Sequence, residues 1–312
     1  MHLLRWTKSA KRIFTTARIS AIMRFSSSSS ASSADETQPL VLVEQFENVL
    51  MVGINRPAKR NAVNHQTAQA LKAEFDKLNQ TNSLDAAVLY GVGGNFCAGY
   101  DLSEVASAGG SLDTAMSEAL RVDSEFRPMG PTLMELRKPV IAAVEGFAVA
   151  GGLELALMCD LRVVDETAVF GVFCRRFGVP LLDGGSVRLP KLIGLSRAMD
   201  MILTGREIVA KTAVEWGLAN RLVPTGSALG QAVQLAQRIA VFPKACMLAD
   251  RRSAYYSSYQ ASSFRDAMDY ELNNGIAIVQ QESVSGAQRF MTGIGKHGSF
   301  NSERPPGPKH KL

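Results

Sequence analysis

Short unbroken apolar runs alternate along most of this chain with stretches in which apolar residues recur every three or four positions. Residues 40–55, LVLVEQFENVLMVGIN, alternate well enough to predict two strands joined by a turn at Glu47-Asn48. Asn64 predicts a helix start, with Ala68, Leu71, Phe75 and Leu78 at helical spacing behind it. AAVLYGV (86–92) reads as a buried strand, followed by a glycine-rich loop, GGNFCAGYDL, a looser polar stretch and a helix ending near Arg137. Pro139-VIAAVEG predicts another buried strand, GGLELALMCD the helix after it, and LRVVDETAVFG two more short strands. This alternation runs to about residue 223 and argues for an α/β core. From Ser227 the pattern turns helical, with segments at 227–241, 243–257, 261–273 and 276–292 and no fixed-period repeat. The expected organisation is an N-terminal segment over 1–34, a core over 35–226, a helical subdomain over 227–297 and a tail over 298–312.

One position breaks the apolar pattern. Glu154 stands inside GFAVAGGLELALMCD, directly after a Gly-Gly pair and one apolar residue. An uncompensated buried carboxylate costs several kcal/mol, so that position needs a partner or a task.

Charge alters the picture mainly at the N-terminus. The chain of 312 residues carries a formal charge of +5, yet Arg5, Lys8, Lys11, Arg12, Arg18 and Arg24 all precede the first acid, Asp35. Without those six, 28 basic residues stand against 29 acidic ones, a net of −1 that removes the footprint expected for nucleic-acid binding. The same segment is Arg- and Ser-rich and acid-free, the composition of a mitochondrial transit peptide. The C-terminal His310-Lys311-Leu312 differs from the peroxisomal Ser-Lys-Leu address at its first position and is the competing signal. No run of about 20 apolar residues predicts a membrane span.

Cysteines and histidines narrow the chemistry. Cys97, Cys159, Cys174 and Cys246 show no metal-ligand spacing, and three of them sit among apolar neighbours as buried, reduced thiols. Of the four histidines only His65 lies in the body, as an expected surface residue, so a histidine metal site or a Ser-His-Asp triad lacks material. Gly91-x-Gly93 fails as a dinucleotide fingerprint because its sixth position is Phe96.

Two loops share a design that can do chemistry. Ala98-Gly99-Tyr100-Asp101-Leu102 and Ala150-Gly151-Gly152 each follow a buried strand and precede an expected helix. A helix start leaves amides unpaired at the positive end of the dipole, and glycine permits close approach. Two such ends facing one point would hold an oxygen on which negative charge develops.

The phrases NFCAGYDL, KPVIAAVEGFAVAGGLELALMCDLRV, GGSVRLPKLIGLSRAMDMILTG and AVEWGLANRLV, in that order, resemble the crotonase (enoyl-CoA hydratase/isomerase) superfamily, over about residues 40–297. The resemblance implies a spiral core of ββα turns with a C-terminal helical part, homotrimers or pairs of trimers, acyl-CoA thioester substrates and no cofactor beyond the CoA of the substrate. It places the two oxyanion donors at the amides of Tyr100 and Gly151, and a catalytic carboxylate at Glu154. It also puts a phosphate-binding basic residue, Arg56, Lys59 or Arg60, in the loop Asn55–Asn61, and Ala98, Asp101 and Leu102 beside the CoA moiety. Lys296 and Phe300 would meet CoA from the C-terminal end.

One departure bears on the reaction. Hydratases of the family carry a second glutamate twenty residues after the first, and here that position is Cys174. Asp183 is the nearest acidic replacement, with the competing role of N-cap to the helix in GGSVRLPKLIG. Arg175 and Arg176 are candidate partners for Glu154, for Asp183 or for an acidic group on the substrate. The implied activity is 2-enoyl-CoA hydration. A double-bond isomerase or a decarboxylase of carboxylated thioesters would use the same site, and a non-catalytic acyl-CoA binder would leave Glu154 without a task.

Overall fold

The computed structural model describes residues 38–107, 114–121 and 124–295. The basic leader, the tail, Lys296 and Phe300 lie outside the described residues. In chain order the elements are β1 (Val41–Phe46), β2 (Val49–Ile54), α1 (His65–Gln80), β3 (Ala86–Gly91), α2 (Leu102–Ser107), α3 (Thr114–Ala119), β4 (Val140–Val144), β5 (Phe147–Val149) and α4 (Gly151–Met158). There follow β6 (Leu161–Asp165), β7 (Val169–Gly171), α5 (Gly185–Ile193), α6 (Leu195–Thr204), β8 (Ile208–Val209), α7 (Ala210–Glu215) and β9 (Arg221–Val223). Helices α8 (Ala228–Ala240), α9 (Lys244–Tyr259), α10 (Phe264–Ile278) and α11 (Val284–Met291) complete the described chain. Two compact units divide between Ala236 and Gln237, inside α8.

The large sheet has the order β1-β2-β3-β4-β6-β9, parallel except for the β1-β2 hairpin, and the small sheet has the order β5-β7-β8. β2 and β4 are buried at every position, as strands covered on both faces must be, which is why their sequences are apolar runs and not alternations. β1 is the antiparallel edge and keeps Glu44 and Gln45 exposed. Two consecutive units, β4-β5-α4 and β6-β7-α5, each place their first strand in the large sheet and their second in the small one. That is the expected ββα repetition.

Asn64 caps α1, accepting from the Thr67 amide, and Ala68, Leu71, Phe75 and Leu78 are fully buried beneath it. His65 is half-buried, its ring edge-on to Phe126 at 5.6 Å, and is not the surface residue expected. The helix expected to end near Arg137 is absent. Gly130 takes φ 88° and Pro131 opens only a 3-10 turn over Pro131–Leu133, after which Met134 is extended. The sequence Pro128-Met129-Gly130-Pro131 cannot carry a continuous helix, whatever apolar spacing surrounds it. Gly91 and Gly93 serve packing: a Cβ on Gly91 would stand 1.9 Å from the Asn95 carbonyl, and Gly93 has φ +80°.

Helix α4, which carries Glu154, is fixed at its far end. The guanidinium of Arg162, 2% exposed, donates to the carbonyls of Ala156 (3.2 Å), Cys159 (2.7 Å) and Leu218 (2.6 Å). A cation there satisfies carbonyls that the helix leaves open and complements its dipole. Glu145, for which the sequence offered no role, accepts from the Ala228 amide at the start of α8.

In the second unit the predicted break between 273 and 276 does not occur. α10 passes through Asn274 and Gly275, and a π turn at Val279–Ser283 leads into α11. The Asn274 amide donates to the Ala249 carbonyl and to Ser253 on α9, so it does not compete for its own helix backbone. Tyr256 and Tyr270 stack at 3.8 Å between the same two helices.

Candidate active site

The two loops lie side by side. The Cys97 amide donates to the Phe147 carbonyl at 2.8 Å, and the Val149 amide to the Cys97 carbonyl at 3.1 Å. Glycine makes this approach possible: a Cβ on Gly152 would stand 2.1 Å from the Cys97 carbonyl oxygen. One on Gly99, at φ +103°, would stand 2.9 Å from the Ala150 Cβ and 3.1 Å from the Gly151 nitrogen. The Val63 amide donates to the Gly99 carbonyl and the Asp101 amide to the Val63 carbonyl, so the Tyr100 amide between them is turned away from that pairing. Ala150, at φ 53° and ψ −125°, opens α4 without a side-chain cap, and Gly151 is its first residue. A non-glycine residue in that conformation is strained, which fits a functional turn.

Glu154 lies three residues further on and is 2% exposed. Its Oε1 accepts from the amides of Asp183 (2.9 Å) and Gly185 (2.7 Å). Burial and then the Asp183 charge push its pKa up to about 7, against the opposing pull of the two amides and of Arg188. Such a group is divided between acid and base near neutral pH, as proton transfer requires. Cys174 has its thiol pKa raised by burial and by the charge of Glu154, so it holds its proton.

Two expectations about partners are overturned. Asp183 does not cap α5: Gly184 occupies the cap in a left-handed conformation with no side-chain bond. Asp183 stands one residue before the cap, and its carboxylate instead accepts from the Met129 amide (3.0 Å) and the Thr132 hydroxyl (2.5 Å) of the Pro128–Thr132 turn. Burial raises the Asp183 pKa despite these bonds. Arg175 and Arg176 pair with neither acid. Arg175 donates to the Ile202 carbonyl and Arg176 lies over the Phe173 ring at 4.2 Å, while Arg188 supplies the nearby positive charge.

A cavity of about 430 Å³ joins these groups, lined by Tyr100, Gly151, Glu154, Cys174 and Asp183 together with Ala98 and Leu102. The rest of its wall is largely apolar, and Glu154 and Asp183 are its charged members. Arg56 and Asp101, expected beside CoA, are committed to each other at 2.9 Å, and Arg56 also donates to the Ala62 carbonyl. Lys59 ends a 3-10 turn, Pro57–Lys59, with its side chain exposed. Met129, Thr132 and Arg188 belong to the site but were missed by sequence reasoning. Only Arg188 lay in a quoted phrase, and nothing in its spacing marked it.

Among the described residues no cluster of His, Cys, Asp or Glu is arranged to hold a metal ion, and no helix is long and apolar enough to cross a membrane. Residues 44–292 match the family model described as enoyl-CoA hydratase/isomerase. Enoyl-CoA hydratase EchA19 of Mycobacterium tuberculosis is 37% identical over 207 residues, covering 66% of this chain and 76% of that protein. The Arabidopsis thaliana protein named probable enoyl-CoA hydratase 2, mitochondrial, is 37% identical over 192 residues, covering 61% of this chain and 62% of its own length. The crystal structure of enoyl-CoA hydratase EchA1 from Mycobacterium marinum superposes with a TM-score of 0.74 at 34% identity, over 81% of this chain and 96% of that one.

Proposed function

This chain belongs to the enoyl-CoA hydratase/isomerase family and is an enoyl-CoA hydratase-like enzyme, and from that premise we propose that it adds water across the α,β double bond of a 2-enoyl-CoA. The observation that carries the reading is the Glu154 carboxylate, held by two amides on the wall of the same cavity as Gly151 and Tyr100. The amides of Gly151 and Tyr100 receive the thioester oxygen, and α4 contributes its positive end. Ionised Glu154 takes a proton from water as the water oxygen bonds to C3. The double-bond electrons move to the thioester oxygen as an enolate, and C2 then takes a proton from Glu154 in its acid form or from the Cys174 thiol. One oxyanion donor contributes roughly 3–4 kcal/mol of transition-state stabilisation in other enzymes.

One feature favours a second reading. Asp183 is engaged by Met129 and Thr132, which leaves Glu154 as the carboxylate best placed for proton transfer. A single carboxylate suffices to isomerise a 3-enoyl-CoA, removing a proton at C2 and returning it at C4. Decarboxylation of a carboxylated thioester fits less well, because the charged residues lining the cavity are both acids.

The CoA phosphates are assigned to Lys59, which is exposed and whose neighbour Arg60 accepts at its carbonyl from the Ala98 amide at 3.0 Å. The acid-free segment 1–34 and the mitochondrial name of the Arabidopsis relative support a matrix location, with a peroxisomal one as the alternative. Phe264 (83% exposed), Leu272 and Ile276 on α10 form an apolar face that suits assembly into a homotrimer or a dimer of trimers.

The test is to incubate the purified full chain with crotonyl-CoA and follow loss of the conjugated thioester absorbance. Glu154→Gln should lower turnover about 10²- to 10⁴-fold. Turnover by the wild type on 3-enoyl-CoA alone would transfer the proposal to the isomerase, and binding without turnover on either would end it.

A further inference from the structure

Asp183 touches three parts of the site at once. Its amide donates to Glu154 Oε1 at 2.9 Å, and its Oδ1 accepts from the Met129 amide at 3.0 Å and the Thr132 hydroxyl at 2.5 Å. Arg188 ties the ends of this assembly together, donating to the Asp183 carbonyl at 3.0 Å and to the Thr132 carbonyl at 2.6 Å. Met129 in turn packs on the oxyanion loop, where a Cβ added to Gly151 would meet its Sδ at 2.5 Å. The Asp183 side chain is buried, 5% exposed over the whole residue, so these bonds are not traded for water.

We propose that Asp183 is a positioning residue for the reaction given above: its backbone orients the Glu154 carboxylate, while its side chain pins Met129 opposite Gly151. The two halves of the site, acid and oxyanion cradle, are thereby held in one register by a single residue. This rests on the assignment of Glu154 as the acid–base group. A carboxylate suits the place because two donors converge on one oxygen. Its charge also bears on Glu154. The charged or titratable groups facing Glu154 are Asp183, Arg188 and the Cys174 thiol, and Arg127 and Arg188 face Asp183. Removing the Asp183 charge leaves Arg188 as the charged neighbour, which favours the Glu154 anion.

Asp183→Asn in the full chain tests this. With glutamate labelled at its carboxyl carbon, and the Glu154 signal assigned by its loss in Glu154→Gln, NMR should show the Glu154 midpoint falling by about one pH unit or more. The kcat/KM profile on crotonyl-CoA should move down in pH by the same amount, with kcat above the midpoint reduced several-fold. Thr132→Val keeps the charge and loosens the turn, so it should lower kcat several-fold with the midpoint unmoved. An unshifted midpoint in Asp183→Asn overturns the proposal. So does a loss of kcat as large as that of Glu154→Gln at every pH, which would make Asp183 a proton donor to substrate. If Asp183→Asn does not fold, unchanged kcat in Thr132→Val overturns it. The titration needs no turnover, so a wild type inactive on enoyl-CoA sinks the reaction while leaving the link between Asp183 and Glu154 to be judged separately.

Discussion

At Ala98–Leu102 and again at Ala150–Glu154 a buried strand runs into small residues and then a helix, and each loop delivers one buried acid near the helix start. The two acids have opposite characters. Burial pushes Asp101 up, but the Ser103 hydroxyl and amide and the Arg56 guanidinium outweigh it and hold the pKa below the usual range. Burial also pushes Glu154 up, and there the Asp183 carboxylate adds to it against the opposing pull of two amides and Arg188, so the pKa reaches about 7. Asp101 is thus a permanent anion that locks its loop to the strand-following turn at Arg56. Glu154 is a group that can change state. The local design provides an anion-tolerant helix start in both places, and the partner brought in by the fold decides whether the acid holds structure or moves protons.

Taking the cation from the first loop is the largest expected change. Arg56→Met leaves Asp101 buried without its partner and should destabilise the chain by about 3–5 kcal/mol in urea unfolding. A loss below about 1 kcal/mol would show that the pair contributes no more than an exposed one.

The second loop should respond to pH with the opposite sign. Glu154 has a folded pKa of about 7 against 4.5 for the ordinary group, so the folded chain binds the proton more tightly. Its contribution to stability is complete below about pH 4.5 and is lost as pH rises through 7, on the order of 3 kcal/mol. Glu154→Gln should flatten that decline and leave the variant more stable than the wild type at pH 8. Asp101 works in reverse: its contribution is complete above pH 3.8 and is lost as pH falls through its lowered folded value. Melts at stepped pH separate the two, and a wild-type stability that stays level from pH 4.5 to 8 would remove the contrast.

Gly99→Ala sharpens the comparison where the loops touch. The left-handed backbone and the 2.9 Å approach to Ala150 predict a loss of about 2 kcal/mol, with reduced turnover because Gly151 is displaced. The smallest effect is a gain. Ala150→Gly relieves a strained conformation and should stabilise by about 1 kcal/mol in thermal unfolding, with turnover retained.

By itself the sequence determined which segments are buried and how they alternate. Apolar runs at β2, β3 and β4 and the helical spacing behind Asn64 have one low-energy solution, since each must hide its apolar face. The paired glycine loops were also legible, as were Glu154 and Cys174, because a carboxylate or a thiol among apolar neighbours stands out. The pairing of polar groups was not legible. Arg175 and Arg176 stand nearer in sequence to Glu154 than Arg188 does, yet it is Arg188 that faces the site, and Asp183 reaches 51 residues back to Thr132 instead of capping its own helix. Only the tertiary structure decided these, because hydrogen bonds and charges act over a few ångströms in space, and separation along the chain carries no record of that distance.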